Sequence, residues 1–136
     1  MNSKSDFQIA ASQYAKGFAD RLNSPTPLAN GVGARYYLQG HEDSNVPKHA
    51  LTASPFNLLT EEEGESGKAF VAELRKVAAS IVIEPGEAPA AAYPRVYGKL
   101  MAAAGAMVDS FVSQANASAI VDEMVKRGLV FKPASE

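Results

Sequence analysis

The stretch from Tyr93 to Gln114, YPRVYGKLMAAAGAMVDSFVSQ, limits what this chain can fold into more than any other. Tyr97, Leu100, Met101, Ala104, Met107, Val108 and Phe111 recur at three- and four-residue steps, which puts them on one face of an α-helix. Pro94 suits the first helical position, where a missing N–H costs no hydrogen bond. The run Ala102 to Ala106 keeps the other faces narrow, so neighbouring helices can approach to roughly 8 Å between axes. A helix that is slim and apolar on most sides belongs in the middle of a bundle.

The same stretch fails as a membrane span. Leu100 to Val108 is the longest uninterrupted apolar or small run before Asp109, whereas a bilayer core needs about 20 residues. The opening MNSKSDFQIAASQ has no continuous apolar core followed by a small-residue cleavage site, so no secretory signal is expected. The expectation is a soluble intracellular protein without membrane partners. At 136 residues the chain is the size of one domain, expected to span 1–136. With no cysteine, disulfides, thiol catalysis and cysteine-based metal centres are excluded, and stability must come from packing. A net charge of −2 gives no general attraction for phosphate backbones, so nucleic acid is not an expected partner.

Three further helices are expected around the central one. Ser5 and Gln8 fit a capping box that opens a helix near 5–22, with Phe7, Ala11, Tyr14, Phe18 and Leu22 as its apolar stripe. Thr60 and Glu63 fit another at the start of a helix near 60–82, with Phe70, Leu74, Val77 and Ile81 inward. The central helix is expected near 94–114, Pro89 keeping the preceding connection non-helical. Asn116 or Ser118 then caps a short helix near 117–127 that buries Ile120, Val121, Met124 and Val125, with Gly128 as its left-handed terminal residue. The expected core where the second helix crosses the central one is Phe70, Leu74, Val77, Leu100, Ala104, Met107, Val108 and Phe111. The fold class is therefore mainly α: a small bundle of about four helices around a central Ala-rich helix, with a long irregular segment and at most a minor two-stranded β pairing.

That segment is 23–59, punctuated by Pro25, Pro27, Gly31, Gly33, Gly40, Pro47 and Pro55 too densely for a long helix. Ala34 to Leu38 reads as a short strand that needs a partner, for which Leu129 to Phe131 is the best match. A largely irregular stretch of this length inside a compact domain is where binding residues are sought, as an arm that contacts a partner or neighbouring subunit. Arg35, Tyr36, Tyr37 and His41 are the candidate partner-binding residues, because Arg and Tyr supply much of the energy of interface hot spots.

Catalytic motifs are weak. Gly64-Glu65-Ser66-Gly67-Lys68-Ala69 approaches the end of a phosphate-binding loop, but Glu62 replaces its first glycine and Ala69 its metal-binding hydroxyl. Gly31-Val32-Gly33 lacks the third glycine of a dinucleotide fingerprint. His41 and His49 are eight apart, so no HExxH-type helix face exists. No catalytic residue, cofactor or metal is assigned. The leading expectation is a non-enzymatic structural or adaptor subunit of a larger protein assembly, a virion or similar multi-subunit particle, with protein as its partner. Two alternatives stand beside it: a small regulatory or inhibitory binding protein acting through Arg35, Tyr36, Tyr37 and the Glu61 to Glu65 patch, and a small metal-dependent enzyme using His41 and His49.

Overall fold

A computed structural model describes residues 3–128, except the side chains of 118 and 119. It contains α1 (Lys4–Asp20), α2 (Ala34–Asp43), α3 (Lys48–Leu51), α4 (Gly64–Ser80) and α5 (Pro89–Lys126). Helix accounts for 68% of the described residues and none of them is in a strand, so the mainly-α bundle is the fold.

The capping box that opens α1 is Ser3 with Asp6, two residues ahead of the expected pair. The Ser3 hydroxyl accepts from the Asp6 N–H at 3.2 Å, and the Asp6 carboxylate accepts from the Ser3 N–H at 3.4 Å. An acidic N3 residue closes the box as a Glu would, and it also faces the positive end of the helix dipole. From there Phe7, Ala10, Ala11, Tyr14, Ala15, Gly17, Phe18 and Ala19 are buried. That is more than one face, because α2, α4 and α5 all pack against α1. The enclosed helix is thus α1, and the Ala-rich α5 buries a single stripe of Ala92, Val96, Leu100, Ala104 and Val108.

The 23–59 segment contains α2 where a strand was expected, and α3 is the single helical turn that Pro47 can open. Ala34 to Leu38 opens α2 instead of a strand, and its expected partner, Leu129 to Phe131, lies outside the described residues. The reason is a glycine-mediated crossing. A methyl group on Gly17 would overlap the Tyr37 carbonyl, and one on Gly40 would overlap the Tyr14 carbonyl. Two helices this close give α2 a packing surface that overrides the β preference of its Tyr-Tyr-Leu run. Gly33 turns the chain into α2 at φ +81°, a conformation that suits glycine.

Helix α4 starts four residues later than expected. Glu63 does accept from the Thr60 N–H, at 2.6 Å, but Glu61 to Glu63 form a turn and Gly64, at φ +70°, interrupts helical geometry between the box and the helix. At the far end α5 replaces two expected helices with one of 38 residues. Pro89, expected to hold the connection open, is the first helical residue after an extended Ala88, and Pro94 lies in the second turn. Nothing between Gly105 and Gly128 breaks the helix, and Ser113, Gln114 and Asn116 are exposed along it. Gly128 ends it at φ +74°, as expected.

The expected α4–α5 core forms with one element added. Phe70, Leu74, Leu100, Ala104 and Val108 are buried, and Val77, Met107 and Phe111 pack against them from partly exposed positions. Phe7 of α1 completes an aromatic cluster, its ring centroid 5.1 Å from Phe70 and 5.8 Å from Phe111, while Phe70 meets Phe111 edge-on at 5.2 Å.

Candidate interaction site

Three of the four candidate partner-binding residues are turned into the chain itself. Tyr36, Tyr37 and His41 are buried, because α2 is covered by α1 on one side and by the flanking loops on the others. The Tyr37 hydroxyl donates to the Asp20 carboxylate and accepts from the Leu28 N–H at 3.1 Å. Tyr93 of α5 also bonds Asp20, and burial followed by that bond pushes its pKa up to about 12. His41 stacks on Tyr37 and is bonded through both ring nitrogens: Nδ1 to Arg21 Nη1 and Nε2 to the Ser24 carbonyl, each at 3.2 Å. Arginine only donates, so Nδ1 is the acceptor and Nε2 carries the proton. These bonds tie the 21–28 loop to α1, α2 and α5.

Arg35 alone of the four keeps substantial exposure. Its Nη1 donates to Glu62 at 2.7 Å, Thr60 at 2.8 Å and Glu63 at 3.4 Å, joining α2 to the turn before α4. The bond to Glu62 is the first cause that raises the Arg35 pKa. Beside it an open cleft of about 300 Å³ is lined by Asp6, Ile9, Val32, Tyr36 and Glu63. His49 is exposed on α3. Among the described residues no group of three or more His, Cys, Asp or Glu side chains is placed to hold a metal ion.

The densest polar cluster was invisible as a set in the sequence. Asp43, at the end of α2, takes a two-pronged ion pair from Arg75 of α4, with Nε to Oδ2 and Nη2 to Oδ1 both at 2.8 Å and both side chains buried. It accepts two more bonds, from the Tyr14 hydroxyl at 2.6 Å and Gln39 Nε2 at 2.8 Å. Burial, and then the Asp43 charge, raise the Tyr14 pKa well above its ordinary value, so it remains a donor. Arg75 spends its other donors on the carbonyls of Ser54 and Pro55, and its guanidinium lies 3.9 Å over the Phe56 ring. Gln39 accepts from the Leu58 N–H at 3.0 Å. Four donors around one carboxylate, and a guanidinium shared between that carboxylate and a loop, make a clasp that fastens residues 54–58 to α1, α2 and α4. Among the described residues every buried side-chain nitrogen and oxygen has a hydrogen-bond partner within the fold.

Of the large hydrophobic side chains left exposed among the described residues, Leu28, Val32 and Val82 lie in loops, and Ile120 and Val121 lie on α5. At about 1.5 Å per residue this helix runs about 57 Å, against about 26 Å for α1 and α4. Val112 is its last residue packed against the core, so 113–126 projects beyond the bundle. There Ile120 is 60% exposed and Val121 50% exposed, with Met124 and Val125 half-buried, where a short helix was expected to bury all four. The projecting face continues an apolar groove between α4 and α5, about 580 Å³ and lined by Val77, Ala103, Ala106, Met107 and Phe111. The sequence signal for this surface was the absence of any proline or glycine from Ala106 to Arg127, which lets one helix outrun its partners. Among the described residues no helix is long and apolar enough to cross a membrane. No known protein family, curated protein or solved structure matches the chain.

Proposed function

We propose that this chain is a non-enzymatic structural or adaptor subunit of a larger protein assembly, and that it joins that assembly through the α5 face that extends past Val112. One observation carries the reading: large aliphatic side chains stand exposed on a well-formed helix that continues out of an apolar groove. Burying a Val or Ile side chain is worth roughly 1.5–3 kcal/mol relative to leaving it in water, and contiguous apolar surface of this kind marks binding faces. The buried polar side chains support it from the other direction, since each of their buried nitrogen and oxygen atoms is bonded within the fold. The test is velocity sedimentation of the chain in extract from its native source. It is expected to run with a larger complex, and Val121→Glu, at a position that touches no core residue, is expected to release it as a monomer with an unchanged helical signal. A wild-type chain that sediments as a monomer there would overturn the proposal.

A second reading, a regulatory protein that binds its partner through α2, is favoured by the exposure of Arg35 and Glu62 beside a cleft where Val32 is 77% exposed. Arg35→Glu would abolish such binding and leave the α5-dependent sedimentation untouched.

A further inference from the structure

We infer that the occupant of the α5 face is a second copy of this chain, its α5 lying antiparallel along the first about a two-fold axis near Val112; this rests on the assembly reading and names the partner. The exposed face of α5 is built on two interleaved seven-residue series. Ala103, Ser110, Ala117 and Met124 form one, and Met107, Gln114 and Val121 form the other, which together make a seam of the kind two helices share. These seven residues are open to solvent or only half covered and none of them is charged, while Glu73 and Lys76 of α4 line the groove beside the first half.

The two halves of the seam are different and complementary. Its first half is the groove wall, with small Ala103 beside the floor formed with α4. Its second half is the projection, with large Val121. Antiparallel alignment in which paired residue numbers sum to 224 sets Val121 of each copy against Ala103 of the other, and Met107 against Ala117. Large meets small at each level, which lets the axes approach without overlap. At the centre Gln114 meets Ser110 of the other copy. In the isolated chain Gln114 Nε2 reaches Ser110 Oγ of its own helix at 3.4 Å, so the one polar layer has a donor and an acceptor already turned to the same face. A polar pair at one level fixes register, because any shift by a heptad strands it against aliphatic groups. Groove and projection on the same helix make the surface self-complementary, so two copies satisfy each other and the contact closes.

The chain has no cysteine, which makes the register directly testable. In the full-length protein, Ala103→Cys with Val121→Cys should oxidise to a covalent dimer, because the paired positions face each other across the seam. Either cysteine alone should not, since each is about 27 Å from its own copy across the axis, far beyond disulfide reach. Wild-type protein should sediment as a dimer, and Val121→Glu, which damages the contact twice, should weaken association at least ~100-fold. A purified chain that is monomeric at about 100 μM, where a closed two-fold contact of this length should be populated, overturns the pairing. So does crosslinking that is as efficient with one cysteine as with two. If that monomer still enters a Val121→Glu-sensitive complex in native extract, the self-pairing is wrong and the assembly reading stands; a monomer in both settings overturns both.

Discussion

Replacing Arg75 by Met is expected to be among the most destabilising single changes in the bundle. The side chain is buried, and its substitution removes two of the four bonds to Asp43, both loop-carbonyl bonds at Ser54 and Pro55, and the stack over Phe56. Methionine fills much of the volume, so the cost is chiefly electrostatic. Asp43 is left as a buried carboxylate with only Tyr14 and Gln39 as donors, and breaking a buried pair in this way typically costs about 3–5 kcal/mol. Against a total stability of about 5–15 kcal/mol for a domain of this size, that is a large fraction. Urea unfolding followed by circular dichroism at 222 nm measures it directly. The double variant Asp43→Leu with Arg75→Met should recover part of the loss, because no charge is then left buried, yet not all of it, since Tyr14, Gln39 and the 54–55 carbonyls lose partners in both. A loss below about 1 kcal/mol for Arg75→Met, or a double variant no better than the single ones, would refute the clasp as described.

Two other outcomes are expected. Gly17→Ala should cost on the order of 1–3 kcal/mol by wedging α2 off α1 at the Tyr37 carbonyl, whereas Gly105→Ala, whose new methyl meets nothing within 4 Å, should gain about 0.5–1 kcal/mol; equal melting shifts would remove the close crossing. At high pH, Tyr14, Tyr36, Tyr37 and Tyr93 all have pKa values raised above the ordinary 10, with burial the first cause in each. Their contribution to stability is therefore complete below about pH 10 and is lost as pH rises from there through the folded values, because the unfolded chain ionises first. Tyrosinate absorbance at 295 nm should rise late and together with loss of helix; four tyrosines that titrate near 10 in an intact helical state would contradict this.

The helices α1, α4 and α5 were legible because each carries an apolar stripe at helical spacing, and Phe7, Phe70, Leu74, Leu100 and Val108 could be placed in the core on that ground alone. Helix α2 was not legible for a physical reason. Its buried positions include Gln39, Gly40, His41 and Asp43, so the inward face reads as polar, and its Ala-Arg-Tyr-Tyr-Leu start carries β preference. The polarity is tolerated only because Arg75, Tyr14, Arg21 and the Ser24 carbonyl arrive from 17 or more residues away, and local pattern contains nothing of such long-range partners. Three of the four partner-binding candidates are buried for the same reason: Tyr36, Tyr37 and His41 are chemically suited to an interface, and this chain supplies one internally between α1 and α2. Helix α5 was misread in the opposite sense. Its breakers, Pro89 and Pro94, read as a boundary, and Asn116 and Ser118 read as caps, although a helix already nucleated needs no new cap to continue.

That last point bears on what the projection costs. A helix of about 14 residues standing alone in water is marginal, because nucleation fixes several residues for a single hydrogen bond. Residues 113–126 avoid nucleation, since they propagate from a turn already packed on Phe7 and Phe70 through Phe111. Their end is held by Gly128 in left-handed geometry and by the Glu123–Arg127 pair at 2.9 Å, an exposed i,i+4 contact of the kind worth a few tenths of a kcal/mol. Propagation and capping account for a helix there; they do not account for Val121 and Ile120 on its surface, which add nothing to an isolated helix and favour association. The polar clusters fasten the loops and α2 inward, while the aliphatic residues of the α5 projection have no counterpart among the described residues of their own chain. The exposed Val121 thus stands apart from the packed bundle, and a partner that covered it would stabilise the helical state of 113–126 along with the complex.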